Sequence, residues 1–154
     1  MLYKIMSICI LNGPNLNMLG KRESSIYGTK TLEQVISPCE ELCKKNGIEF
    51  THFQNNCEGN IIDFLHQNGE KFQYIIANLG AYTHTSIAIR DAFGSIKSGE
   101  LPKIIELHIS NIYSRSDEFR RKSYIQDISV AVISGFGTDG YLLATQYAVN
   151  QIKG

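Results

Sequence analysis

Residues 74–96 read YIIANLGAYTHTSIAIRDAFGSI, an apolar run followed by a polar turn and then by a segment with helical spacing. Another apolar run, residues 104–107, comes next along the chain. Two short apolar runs joined by a helical segment are typical of a βαβ unit, because parallel strands need a crossover and the crossover is usually a helix. This stretch therefore predicts a parallel sheet.

The same alternation covers the rest of the chain. Further apolar runs occupy residues 5–11, 48–53 and 128–133, and helical spacing occupies residues 32–45, 60–67, 86–96 and 141–152. Five strands alternating with helices predict an α/β fold, a flavodoxin-like three-layer sandwich with a five-stranded parallel sheet in the order 2-1-3-4-5. Neither a linker nor a repeat interrupts the pattern, so we expect one domain over residues 1–154.

The first helical segment contains signals that conflict. Thr31 and Gln34 have the spacing of a capping box, and Gly47 after two lysines is a typical helix stop. Pro38 lies inside the same segment, where it removes a hydrogen bond. We therefore expect a helix that either bends at Pro38 or starts late.

The composition narrows the class of partner. Lys plus Arg is 15 and Asp plus Glu is 15, so no net field favours nucleic acid or an acidic membrane surface. No apolar stretch reaches the ~20 residues of a membrane span. We expect a small-molecule partner, no nucleic acid and no membrane.

The four cysteines do not form the paired, evenly spaced framework of a secreted protein. They are Cys9, Cys39, Cys43 and Cys57. Their spacing also lacks the four-ligand pattern of a structural zinc site, so we expect no metal. Reduced thiols of this kind predict a cytoplasmic protein.

Polar segments follow three of the predicted strands, over residues 12–27, 78–86 and 108–120. In open parallel sheets, ligands bind beyond the carboxyl ends of the strands, where the strand order reverses. The three loops are therefore expected to meet in one site.

The first of these loops holds a phenol and a cation, Tyr27 and Arg22. A tyrosine has an ordinary pKa of about 10, so it acts as a base near neutral pH only where its anion is stabilised, and an arginine can do that. A loop tyrosine that packs on the protein surface is the alternative reading. A loop of this length is usually a lid or a binding loop.

The fourth strand run ends at a histidine. Alternation places Glu106 and His108 on one side of that strand and Leu107 and Ile109 on the other. His108 is either a hydrogen-bonded structural residue or a general acid oriented by Glu106 behind it.

Other polar residues have both a structural and a functional interpretation. Asn78, His84 and a helix start capped by Thr85 or Ser86 could bind the carboxylate or hydroxyls of a small polyol acid. The cationic side chains within residues 115–122 could bind a carboxylate, or they could simply be solvated. Asp91 is interpreted as a solvated surface charge.

Residues 135–141, GFGTDGY, contain a G-x-G element. Such an element alone is weak evidence for a nucleotide. It nevertheless keeps a flavodoxin-like phosphate or flavin-binding module open as the alternative function.

Six segments together resemble the type II 3-dehydroquinate dehydratases. They are ILNGPNLNMLGKR with YG, QNNCEGNIIDFL, NLGAYTHTSIAIRDA, IELHISN, EFRRKSY and GFGTDGYLLA, in that order along nearly the whole chain. The resemblance implies a single catalytic domain without cofactor or metal. It implies anti elimination of water from 3-dehydroquinate through an enolate to give 3-dehydroshikimate, in the shikimate pathway that leads to chorismate and the aromatic amino acids.

The resemblance also implies residue roles. Tyr27 matches the base that removes the C2 proton, and Arg22 matches the arginine that keeps this base ionised. Asn15 matches the residue that stabilises the enolate through a water. His108 matches the acid that protonates the departing hydroxyl, with Glu106 behind it.

Substrate binding and assembly are implied in the same way. The matching positions are Asn78, His84, Asp91, Ile109, Ser110 and Arg120. The family assembles as a dodecamer, a tetramer of trimers, in which Asp91 would reach a neighbouring subunit's site. The chain departs from the family pattern at Leu79, where proline is usual, and is one residue longer between Ser110 and Phe119.

Overall fold

The computed structural model describes residues 5–21 and 28–154. These residues form one parallel sheet in the order β2-β1-β3-β4-β5, which confirms the predicted fold. The strands are β1 (Ser7–Asn12), β2 (Glu49–Gln54), β3 (Tyr74–Asn78), β4 (Lys103–His108) and β5 (Ala131–Ser134). The helices are α1 (Leu32–Lys45), α2 (Glu58–Asn68), α3 (Ile87–Ser95) and α4 (Asp139–Lys153).

Each face of the sheet is covered by two helices. Alternate residues of β1 show why: Ile8 and Ile10 are buried in the cluster with α1 and α4, whereas Cys9 and Leu11 are buried in the cluster with α2 and α3. Both faces of the central strands are thus apolar, as is usual for parallel sheets. Among the described residues, none of the helices combines the length and apolarity needed to cross a membrane.

α1 starts at the predicted capping box and runs through Pro38. Gln34 N–H donates to Thr31 Oγ1 at 3.3 Å, and Thr31 N–H donates to Gln34 Oε1 at 2.9 Å, so the expectation of a late start is wrong. Pro38 and Gln34 are both exposed, so water can reach the carbonyl that the proline leaves without a helical partner. The opposite side of α1 is buried against the sheet, and this burial offsets the lost hydrogen bond.

The last strand starts later than predicted. The apolar run at residues 128–133 led us to expect a strand from Ile128, but Gln126–Ile128 is a 3₁₀ turn and β5 begins at Ala131. Ile128 packs on the α2/α3 side of the sheet, so this apolar residue belongs to the core without belonging to the strand.

The turn after β3 contains Leu79, at the position where the resemblance led us to expect a proline. Leu79 is fully buried in the cluster with α2 and α3, and its φ of −77° lies within the range that proline adopts. Gly80 N–H donates to Asn78 Oδ1 at 3.2 Å, and Tyr82 N–H donates to the Leu79 carbonyl at 3.1 Å. Side-chain packing and these hydrogen bonds therefore restrict the backbone of the turn, as a proline ring would.

Leu79→Ala should lower the free energy of unfolding by about 2–5 kcal/mol, because it removes a fully buried side chain and leaves a cavity. Leu143→Ala, the same substitution at a side chain that is 48% exposed, is the matched control and should change stability by about 0.5 kcal/mol or less. Urea titration of both variants tests this, and equal destabilisation of the two would contradict it.

Candidate active site

A cleft with a volume of about 200 Å³ opens at the carboxyl edge of β1, β3 and β4. Asn12 pairs with Asn78 across the two strands where the order reverses, so the cleft lies at the switch point of the sheet. The cleft brings together many of the residues singled out in the sequence. They are Asn15, Asn78, His84, His108, Ile109, Ser110 and Arg120.

His108 is held by a buried carboxylate. Glu106 is fully buried, and its Oε1 lies 2.6 Å from His108 Nε2 and accepts a hydrogen bond from Thr83 Oγ1 at 3.3 Å. A carboxylate in this position places the ring proton on Nε2 and fixes the ring plane. Nδ1 is then the ring nitrogen available to a ligand in the cleft.

His84 lies beside His108, with ring centroids 6.4 Å apart and planes 12° from parallel. Its Nδ1 donates to the Lys122 carbonyl at 2.7 Å, since a carbonyl can only accept. Burial lowers the pKa of His84; the Lys122 carbonyl opposes this shift, while the charges of His108 and Arg120 add to it. A neutral His84 presents Nε2 to the cleft as an acceptor for a hydroxyl.

Asn15 has the only positive φ found at a non-glycine residue in the described part of the chain, 67°. Its backbone N–H donates to Asn56 Oδ1 at 3.0 Å, and Gln54 Nε2 donates to the same oxygen at 3.1 Å. A residue held in this region costs free energy and is common at functional sites. Asn56 belongs to the turn after β2, to which the sequence assigned no role.

Arginines line the side of the cleft formed by residues 111–121. Arg115 and Arg120 both contribute to the lining, and Arg115 Nη2 donates to Ser110 Oγ at 2.9 Å. Arg120 Nε is 3.3 Å from Asp117 Oδ2, and both side chains are partly exposed. This segment therefore contributes two guanidinium groups to the lining of the cleft.

The G-x-G turn after β5 supports the site in a way that the sequence did not indicate. Gly135 N–H donates to the His108 carbonyl at 3.2 Å, and Gly137 N–H donates to the Ile109 carbonyl at 2.9 Å. Both amides are thus used to hold the backbone beside the cleft. This arrangement does not favour the phosphate-binding alternative, because a phosphate cradle needs its amides for the ligand.

Some predicted residues lie elsewhere. Asp91 is exposed on α3 and does not line the cleft. Ser86 Oγ accepts from Ile89 N–H at 2.9 Å, so Ser86 is the residue that caps α3. Arg22 and Tyr27 lie outside the described residues.

A buried hydrogen-bond chain reaches the cleft from the edge of the sheet. Asn78 Nδ2 donates to the Tyr141 hydroxyl at 2.7 Å, which donates to Asn12 Oδ1 at 2.6 Å, and Asn12 Nδ2 is 3.0 Å from His52 Nε2. Sequence analysis missed Asn12, His52 and Tyr141 as supporting residues. Separations of up to 129 positions give no local pattern, although the polar end of β1 was a signal.

Comparisons with known proteins point to one family. The family model described as dehydroquinase class II matches residues 6–149. A 3-dehydroquinate dehydratase of Prochlorococcus marinus (strain MIT 9211) is 46% identical, covering 96% of this chain and 97% of the relative. Catabolic 3-dehydroquinase 1 of Fusarium vanettenii is 48% identical, covering 95% of this chain and 98% of the relative.

Among solved structures, the type II dehydroquinase from Butyrivibrio crossotus DSM 2876 superposes with a TM-score of 0.85 at 41% identity. The match covers 94% of this chain and 97% of that one. The chain belongs to the class II dehydroquinase family.

His52, the last residue of the buried series of hydrogen bonds, leads us to predict that stability depends on pH. Burial of its ring nitrogen against the Asn12 amide lowers the pKa of His52, although the residue as a whole is exposed. The unfolded chain therefore binds this proton more readily than the folded chain. We expect the free energy of unfolding to fall as the pH drops below about 6.5, the ordinary histidine value.

His52→Gln keeps an acceptor for Asn12 but does not titrate, so stability should decline less steeply with acidification in this variant. Denaturation at several pH values between about 7 and 5 measures the difference. Identical slopes in the two proteins would rule out the assigned role of His52.

Proposed function

We propose that this chain is a 3-dehydroquinate dehydratase that eliminates water from 3-dehydroquinate through an enolate and gives 3-dehydroshikimate. Membership of the dehydroquinase class II family and the names of its relatives support the reaction. The structural observation that carries the proposal is His108 facing the cleft while Glu106 holds its Nε2. We place the reaction in the shikimate pathway, toward chorismate and the aromatic amino acids.

His108 is proposed as the acid that protonates the departing hydroxyl. An elimination beside a ketone needs a base for the proton, a group that stabilises the enolate, and an acid for the leaving hydroxyl. The buried side chain of Glu106 lies 2.6 Å from His108 Nε2, where it would orient the ring for this proton transfer. Asn15 is proposed to stabilise the enolate through a water.

Tyr27 is proposed as the base, ionised by the neighbouring Arg22. The described residues on either side of their loop support this role. Leu19 lines the cleft and is 4% exposed, and Gly20, with φ of 81°, lies against the backbone of Thr29 and Lys30. The two ends of the segment thus lie close to each other, and the first follows a residue that lines the cleft. A base on this loop and an acid at the end of β4 suit removal of the proton and the hydroxyl from opposite faces of the ring.

Substrate binding is proposed to use the polarity of the cleft. A carboxylate would face Arg120, with Arg115 adding charge on the same side. His84 Nε2 would accept from a hydroxyl of the substrate. The residues proposed to bind substrate are Asn78, His84, Ile109, Ser110 and Arg120, joined by Asp91 from a neighbouring subunit.

A dodecamer built as a tetramer of trimers is the proposed assembly. The position of Asp91, exposed on α3 and outside the cleft of its own chain, is what a residue serving a neighbouring site would have. A cytoplasmic location is proposed as well, supported by three buried free thiols, Cys9, Cys39 and Cys43.

The purified protein should convert 3-dehydroquinate into a product with the absorbance of a conjugated enone. The reaction should survive borohydride added together with substrate, because no lysine imine is proposed. A well-folded protein that forms no product would contradict the proposed function, as would a yellow protein that retains a nucleotide. Inactivation with a trapped substrate adduct would contradict the proposed chemistry.

Tyr27→Phe should lower turnover by about 10²–10⁴-fold, the usual contribution of a positioned base, while substrate binding remains measurable by calorimetry. Tyr147→Phe, at a tyrosine that is 42% exposed on α4, is the matched control and should keep wild-type turnover. Normal turnover in Tyr27→Phe would show that another group removes the proton.

A further inference from the structure

We infer that Tyr141 is a positioning residue that, together with the Gly80 N–H, holds the Asn78 side chain so that it presents an N–H donor, and not an oxygen acceptor, to the molecule bound in the cleft. Tyr141 is fully buried and does not line the cleft, so it acts through Asn78. The inference rests on the proposed function for its kinetic test but not for its structural test.

The backbone N–H of Gly80 sets which groups donate and which accept in this series of buried hydrogen bonds. Gly80 N–H lies 3.2 Å from the Asn78 side-chain oxygen, and a backbone N–H can only donate. The amide of Asn78 is therefore oriented with Oδ1 toward Gly80 and Nδ2 toward Tyr141. Rotating the amide by 180° would place two donors against each other at Gly80.

Tyr141 orients the next side chain in the series, Asn12, by a second hydrogen bond. Its oxygen accepts from Asn78 Nδ2 and its O–H donates to Asn12 Oδ1, so the hydroxyl is used in both ways. Burial raises the pKa of Tyr141, with a hydrogen bond from Asn78 opposing, and the phenol keeps the proton that it donates. Asn12 Nδ2 then faces His52 Nε2, which accepts.

The consequence for the cleft is a specific polarity at one position. Nδ2 of Asn78 carries two hydrogens, of which Tyr141 takes one. Asn78 is 4% exposed where it lines the cleft, so the second hydrogen is what it offers to a ligand. The matching ligand atom is an acceptor: a carbonyl, carboxylate or hydroxyl oxygen.

The glycine before Tyr141 explains how the ring reaches Asn78. A Cβ at Gly140 would lie 3.3 Å from Ile133 Cγ2, tighter than usual, so the residue lets α4 approach β4 and β5 closely. The first turn of α4 consequently enters the space beneath the ends of β1 and β3, where Asn12 and Asn78 pair. The Gly-Tyr pair of the sequence thus has a role in the site that needs no nucleotide.

Tyr141→Phe removes only the hydroxyl, and it should raise KM by about three- to tenfold with little change in kcat, as expected for one lost hydrogen bond that positions a binding group. Thr145→Val is the matched control, because Thr145 is a fully buried hydroxyl on the same helix that donates to the backbone carbonyl of Tyr141, and not to its side chain. This control should keep the wild-type KM.

A double-mutant cycle separates positioning from general damage to the fold. In an Asn78→Ala background, adding Tyr141→Phe should leave KM unchanged, because the group that Tyr141 positions is already absent. A KM effect that persists in this background would overturn the inference, and so would a tenfold rise in KM for Thr145→Val.

Exchange of the side-chain amide hydrogens of Asn78, measured by NMR on asparagine-labelled protein without ligand, is independent of activity. It should quicken by about tenfold in Tyr141→Phe and stay unchanged in Thr145→Val. Unchanged exchange in Tyr141→Phe would overturn the inference even if the wild-type enzyme were inactive. This measurement also decides the case if Asn78→Ala has too little turnover for kinetics.

Discussion

The parallel pairing of β1, β3 and β4 is the constraint on which the rest of the site depends. Because the three strands run in the same direction, their polar ends, Asn12, Asn78 and His108, meet at one edge of the sheet. The apolar residues before them anchor these ends between two helical layers, so each side chain starts from a rigid position. The loops that follow add the remaining groups around these rigid strand ends, as expected where a functional site is built on a scaffold.

Buried polar groups orient the side chains of the site, and their burial costs free energy unless they are hydrogen-bonded. Glu106 offsets part of this cost through His108 and Thr83, while no hydrogen-bond partner of its Oε2 is found among residues 5–21 and 28–154. Tyr141 pairs with Nδ2 of Asn78 and with Oδ1 of Asn12. In both cases a group that contacts the cleft is oriented by one that does not, which is how a small cleft selects a direction for each hydrogen bond.

Much of the fold followed from local signals, since strand and helix alternate with clear periods and the capping box marked the start of α1. Periodicity predicted the wrong start for the last strand, because Ile128 is an apolar residue that packs in the core from a turn. It also could not indicate that Pro38 would lie on the exposed side of its helix. Within the site, strand alternation was enough to place Glu106 beside His108. The link from Asn12 to Tyr141 could not be predicted, because it depends on how closely α4 packs on the sheet. Arg22 and Tyr27 remain predictions.

The central claim is that base and acid act from opposite faces of a substrate held in this cleft. The most direct test uses 3-dehydroquinate carrying deuterium stereospecifically at one C2 position, with the product analysed by mass spectrometry. The hydrogen anti to the departing hydroxyl should be lost and the other should be retained. Loss of the syn hydrogen, or loss of both without preference, would contradict it.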